Sequence, residues 1–132
     1  MSYGTTVTLR EPFAEAVPRV RAALAAQGFG VLTEIDVTAT MRAKLGEQME
    51  DYVILGACNP PFAHQALQAD RSIGLLLPCN VVVRAAVEGT IVEALDPKIM
   101  VTVSGRTDLS PIAQEVARRL GAALADLTAG GG

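Results

Sequence analysis

The stretch Tyr52-Val53-Ile54-Leu55-Gly56-Ala57, followed at once by Cys58-Asn59-Pro60-Pro61, constrains the fold more than any other part of this chain. An uncharged, largely apolar run of this length predicts a strand buried on both faces of a sheet. Asparagine is a strong N-cap type and proline suits the first helical position, so the strand must stop here. A helix is then expected from Pro60 to residue 68 or 69. A strand fed directly into a helix calls for a sheet with helices packed on it.

The rest of the chain fits that frame. β-Branched and aromatic residues predict strands over residues 3–9 and 30–37. Further strands are expected at 73–77, resumed at 79–86 beyond Pro78, and at 90–95 as the return arm of a hairpin turned at Glu88-Gly89. A sixth short strand is expected at 99–103. Proline cannot donate to a ladder, so Pro78 predicts a bulge or an edge position. Phe13, Val17, Val20 and Leu24 recur at helical spacing up to the stop residue Gly28, with Pro18 predicting a kink or an irregular first turn. Thr38 is the expected N-cap of a short polar helix over residues 39–45, closed by Gly46. A last helix begins near Ser110-Pro111 and buries Ile112, Val116, Leu120 and Leu124. Strand and helix alternate, strands then cluster, and a helix closes the chain. This order reads as α+β, or α/β-like, with a mixed sheet of five to six strands covered by helices.

The 132 residues suit one domain, expected over residues 1–128, with the Gly-rich end at 129–132 a disordered tail. Half of the residues are hydrophobic but only 4% are aromatic and none is Trp, which predicts an aliphatic core. A net charge of −3 without a basic stripe argues against nucleic acid as a partner. The N-terminal residues lack the pattern of a signal peptide, and no apolar run reaches the roughly 18 residues of a membrane span. The expectation is a cytoplasmic protein with no membrane contact. Its two cysteines should then be reduced thiols.

Those cysteines carry whatever chemistry the chain offers. Cys58 and Cys79 each precede an asparagine, in Cys58-Asn59-Pro60 and Pro78-Cys79-Asn80. At the start of a helix, Cys58 should be stabilised as a thiolate by the dipole and the unpaired N–H groups. Cys79 follows a proline within an apolar strand, where desolvation opposes ionisation. His64, the single histidine, stands between them in a spacing of five and fourteen residues. Cys58, His64 and Cys79 together form a donor set for Zn²⁺ or Cu⁺, although the spacing leaves it to the fold to bring them together. Against ligation, His64 shares its helix face with Gln68, which predicts a solvated histidine. Against thiol chemistry, free cysteines commonly pack as small buried hydrophobes. Gly28-Phe29-Gly30 is too short for a dinucleotide loop, and Glu34 with Asp36 reads as a solvent-facing strand alternation.

The ordered motifs Gly28-Phe29-Gly30 through Val37, Gly56-Ala57-Cys58-Asn59-Pro60, Ala63 through Leu67, Leu77-Pro78-Cys79-Asn80-Val81-Val82-Val83 and Asp96-Pro97 give the chain a resemblance to a known family. It resembles the bacterial and archaeal family known as domain of unknown function 302, over nearly its whole length. The resemblance implies an α+β fold with helices on a sheet, a homodimer, and no established reaction. Branches of that family that lack cysteine at the positions matching Cys58 and Cys79 keep the Asn-Pro and Leu-Pro around them. This chain therefore resembles a cysteine-containing branch, in which the thiols are an addition to the fold.

Two functional readings follow. In the first, Cys58 and Cys79 form a thiol site for redox chemistry, sulfur handling or a soft metal, with Cys58 the nucleophile, Cys79 its resolving or second ligand, and His64 a third group. In the second, the cysteines are inert, and Asn59, Pro60, Pro78 and Asn80 shape a pocket for a small ligand or an interaction partner.

Overall fold

The computed structural model describes residues 3–130 as a single α+β unit. In chain order the elements are β1 (Gly4–Leu9), α1 (Phe13–Ala26), β2 (Gly30–Asp36), α2 (Val37–Leu45), β3 (Tyr52–Cys58), α3 (Pro60–Ala69), β4 (Cys79–Ala86), β5 (Gly89–Leu95), α4 (Lys98–Ser104) and α5 (Ser110–Gly130). The strands form one sheet in the order β1-β5-β4-β3-β2, and every pairing is antiparallel. A mixed sheet was expected because strand and helix alternate. Here α2 and α3 instead return the chain to the neighbouring position running the opposite way, while α1 carries it from β1 at one edge of the sheet to β2 at the other.

Helices α1 and α5 pack on each other and on one face of the sheet. The core lies in that layer and is aliphatic: Val20 and Leu24 from α1, Leu120, Leu124 and Leu127 from α5, and Leu55, Val81, Val83 and Val92 from the central strands. In β3 the residues facing the helices are buried, and on the other face only Gly56 is, beneath Thr33 and Pro78. Val53, Leu55 and Ala57 face the helices, while Tyr52 and Ile54 between them are half-buried. The apolar run in β3 is thus not a strand buried on both faces. It is a one-sided strand whose outer positions also happen to be apolar, which hides the period of two from a reading of the sequence.

Two expected strands are helical. Residues 71–76 form a 3₁₀ turn, because the Asp70 carboxylate accepts the Ser72 N–H at 3.0 Å and starts a helical turn. Ile73 is buried and Leu76 half-buried one such turn later, while Leu75 is 88% exposed. Residues 98–104 form α4, opened by the Asp96 carboxylate accepting the Lys98 N–H at 3.0 Å and closed by Gly105 in the left-handed region at φ +71°. Short apolar runs of this kind do not distinguish strand from helix by periodicity. Pro78 marks neither a bulge nor an edge. It precedes β4, the middle strand, and its bond to Leu77 is cis. The sheet's irregularity lies in β2, between Val31 and Thr33.

Thr38 does not cap α2. Asp36 does so, accepting the Ala39 N–H at 2.9 Å. The buried Thr38 hydroxyl instead donates to the Glu50 carbonyl at 2.7 Å and accepts the Tyr52 N–H at 2.8 Å, tying α2 to the entry of β3. Pro18 is accommodated inside α1, and α5 continues through Gly130. The end of the tail expected at 129–132 lies outside the described residues.

A second, smaller core joins α3, the 3₁₀ turn, α4 and the start of α5 through Ala66, Ile73, Met100 and Leu109. Where the two cores meet, at the end of the sheet where β3 stops and β4 starts, both cysteines are found.

Candidate functional site

The strand register sets the cysteines' relation. Cys79 is the first residue of β4 and pairs with Ala57, so Cys58 lies one residue beyond its partner. Cys79 is buried in the main core, 6% exposed, and Cys58 is half-buried. Both are free thiols. They line one small cavity of about 30 Å³, the room of a single water molecule. Phe29, Phe62, Met100, Ile112 and Val116 complete an apolar wall, and Asn59 is its polar side chain. The cavity wraps the end of the sheet, so residues from both sides reach it: Ala57 and Cys79 from the helix-covered side, Cys58 and Pro78 from the other.

The polypeptide around the cavity is held closely. A Cβ at Gly56 would collide with Thr33 Oγ1 and lie 2.8 Å from Pro78 Cγ. The glycine in the Gly-Ala-Cys run is therefore the space into which Thr33 and Pro78 fold.

Asn59 is buried as expected of a structural asparagine, but its side chain makes no capping bond to α3. Its amide Nδ2 donates across to the Gln27 carbonyl at the end of α1, at 3.4 Å. The start of α3 is also poor in donors: Pro60 and Pro61 carry no N–H, and the Ala63 N–H is taken by the Asn59 carbonyl at 2.9 Å. The positive end expected to stabilise a Cys58 thiolate is thus weakened by the two prolines. Burial pushes the Cys58 thiol above its ordinary value. Cys79 is pushed up to about 11, first by burial and then by the neighbouring Cys58. The expectation of a low Cys58 is corrected, and both groups are thiols at neutral pH.

The other expected site residues divide. Asn59 and Pro78 line the cavity with the cysteines. Pro60 is exposed at the start of α3 and does not line it. His64 is exposed further along α3 and is likewise outside the lining, as its pairing with Gln68 on one helix face foretold. Asn80 is exposed on the sheet face turned away from α1 and α5, beside a separate hollow with Tyr3, Tyr52 and Glu93. Among the described residues, no group of three His, Cys, Asp or Glu side chains is gathered in a way that would hold a metal ion. Glu34 and Asp36 are structural, the first paired with Arg21 and the second capping α2.

Sequence reading missed Arg119. From α5 its Nη1 donates to the same Gln27 carbonyl at 3.3 Å, and its Nε donates to Glu115 at 2.9 Å. Its guanidinium lies 5.1 Å from the centroid of the Phe62 ring, a wall of the cavity. Gly28, at φ +86°, brings the backbone under this group: a Cβ there would stand 3.1 Å from Asn59 Nδ2 and 3.3 Å from Arg119 Nη1. Only the i,i+4 spacing of Glu115 and Arg119 was visible in sequence, and it reads as an ordinary surface pair.

The family model for a domain of unknown function, DUF302, matches residues 5–127 of the chain. The chain belongs to the DUF302 family. The fold is also that of a solved DUF302 relative, described as an uncharacterised conserved protein from Bacillus stearothermophilus. Its crystal structure superposes with a TM-score of 0.87 at 30% identity, covering 94% of this chain and 97% of the other. No curated protein matches the chain. The α+β architecture is thereby that of a DUF302 domain spanning almost all of the polypeptide. Among the described residues, no helix of this domain is long and apolar enough to cross a membrane.

Proposed function

We propose that the cavity shared by Cys58 and Cys79 is a two-thiol site that takes up a soft monovalent cation of the Cu⁺ class. The observation that carries this reading is that both cysteines, left as free thiols, line one small apolar cavity at the junction of the two cores. A d¹⁰ monovalent ion is content with two sulfur donors, and soft sulfur selects it over harder ions. Zn²⁺ asks for about four donors, and the cavity offers two sulfurs with His64 turned elsewhere. Binding converts two S–H groups and one Cu⁺ into a dithiolate complex with a single negative charge and releases two protons.

A nucleophilic enzyme is less well supported, because a cysteine nucleophile needs a base within hydrogen-bond reach, and the histidine is outside the cavity. A disulfide switch is disfavoured by the register. Cys58 and Cys79 are one step out of direct pairing, and successive strand residues project to opposite sides, so closing the bond would move backbone. The raised thiols favour the alternative of inert packing, and the same experiment decides between them. Reduced protein is titrated with Cu⁺ without oxygen, against a chromogenic chelator. One ion per chain, lost in Cys58→Ser and in Cys79→Ser, supports the site. Uptake no tighter than that of the Cys58→Ser/Cys79→Ser protein leaves the cysteines as packing.

A further inference from the structure

The cavity's rim on the α3 side is held from a distant helix. Arg119 in α5 contributes nothing to the wall itself, yet it meets two of the wall's residues: its guanidinium lies over the Phe62 ring, and it shares the Gln27 carbonyl as acceptor with Asn59, where a Cβ at Gly28 would crowd both side chains. Phe62 and Asn59 line the cavity beside Cys58. Glu115 holds the guanidinium in place through Nε. Stacking of a guanidinium on an aromatic face is strengthened where both are partly desolvated, and the Arg119 side chain is 33% exposed.

From this geometry we infer that Arg119 is a positioning residue that sets solvent and ligand access to Cys58 by pinning the Phe62 and Asn59 rim. The inference deepens the two-thiol reading, since access to Cys58 is the entry to that site, but it concerns the thiol itself and is testable with no metal present.

The sign of the effect separates it from the obvious rival. A nearby arginine can activate a cysteine by favouring the thiolate, and its removal would then slow reaction with an alkylating agent. Burial is what pushes the Cys58 thiol up. Removal of a rim support has the opposite consequence: the thiol becomes more accessible and reacts faster. Lysine keeps the charge but lacks the planar fork that stacks and bonds at once, so it restores an electrostatic role and not this one.

The experiment measures iodoacetamide labelling of Cys58 and Cys79 separately, by peptide mass spectrometry of the metal-free, reduced protein. In Arg119→Ala, Cys58 is expected to label faster by about fivefold or more, the scale of losing one stacking contact, while Cys79 keeps its slow rate. Arg119→Lys, the milder change should the alanine variant not fold, is expected to label faster than wild type as well. Slower labelling of Cys58, an unchanged rate, full restoration by lysine, or equal acceleration of both cysteines would each overturn the assignment. Failure of Cu⁺ uptake in wild type would remove the proposed ligand and leave this labelling result standing.

Discussion

Cys58 lies one residue past Ala57, the ladder partner of Cys79, so the two sulfur-bearing residues sit on neighbouring strands at the same end of the sheet and line one cavity. Both are harder to ionise than an exposed thiol. Burial is the larger cause for Cys79, and the neighbouring Cys58 adds to it.

Slow thiol chemistry is the first consequence. At pH 7 Cys58 is expected to alkylate more slowly than a free cysteine, and Cys79 more slowly still. The reactive species is the thiolate, and burial disfavours it at both positions. Rates measured from pH 7 to 10 check this. A Cys58 reacting faster than the free amino acid at neutral pH would restore the activated-thiolate reading.

Stability should carry the same signature. The folded Cys79 titrates near 11 against an ordinary value of 9.0. Its contribution is therefore fully present below pH 9 and lost as the pH rises through 11. By linkage the loss is on the order of 3 kcal/mol. Urea unfolding of wild type and Cys79→Ala across pH 8 to 11 isolates it. The difference in stability between the two proteins is expected to shrink as pH rises, and a constant difference contradicts the shift.

How much of this was legible in the sequence depended on whether neighbouring residues or distant ones decide the outcome. The strand-to-helix junction at Cys58-Asn59-Pro60 was readable because an uncharged run followed by Asn-Pro-Pro admits few other local structures. So were α1 and α5, whose apolar residues recur at helical spacing, and the β4–β5 hairpin. Residues 73–77 and 99–103 were misread as strands because their apolar content fits either period. What decides them is the pair of carboxylates at Asp70 and Asp96 that start helical turns. Asn59 was read as a cap by residue type, yet its amide is drawn to the Gln27 carbonyl by the tertiary approach of α1. That contact spans 32 positions of sequence, and no local pattern encodes it. Arg119 was missed for the same reason. The raised Cys58 thiol was missed as well, since its cause is burial, which tertiary packing and not the local helix start decides.

Gly56 tests the packing at the sheet's end. Gly56→Ala is expected to destabilise the fold by about 1–3 kcal/mol, because the new methyl meets Thr33 and Pro78. Thr33→Ala introduced with it should recover part of the loss by vacating the nearer contact. Chemical denaturation of the two single variants and the double variant gives the coupling. Strict additivity would show that the collision is relieved elsewhere.

The junction of α2 with β3 makes a comparable prediction. Thr38→Val keeps the shape of the buried side chain but strands the Glu50 carbonyl and the Tyr52 N–H, at a cost of about 2 kcal/mol. Asp36→Ala removes only the exposed cap of α2 and should cost about 1 kcal/mol. Thermal or denaturant unfolding that ranks them the other way would mean that α2 is held by its cap and not by the threonine.

Proton release gives the metal reading a slope. Two protonated thiols must ionise to hold one Cu⁺, so conditional affinity is expected to rise by about a hundredfold per pH unit near neutrality. Competition titrations at pH 6.5 and 7.5 read this slope. A tenfold rise indicates that one cysteine alone carries the ion, and a flat response indicates binding elsewhere.

Counting sulfur around the bound ion tests the two-thiol site most directly. X-ray absorption of the reduced, Cu⁺-loaded protein is expected to show two sulfur donors and no nitrogen. Cys58→Ser and Cys79→Ser should each abolish that signature. A spectrum with histidine nitrogen in the first shell, or one unchanged by either substitution, would contradict a site built from Cys58 and Cys79.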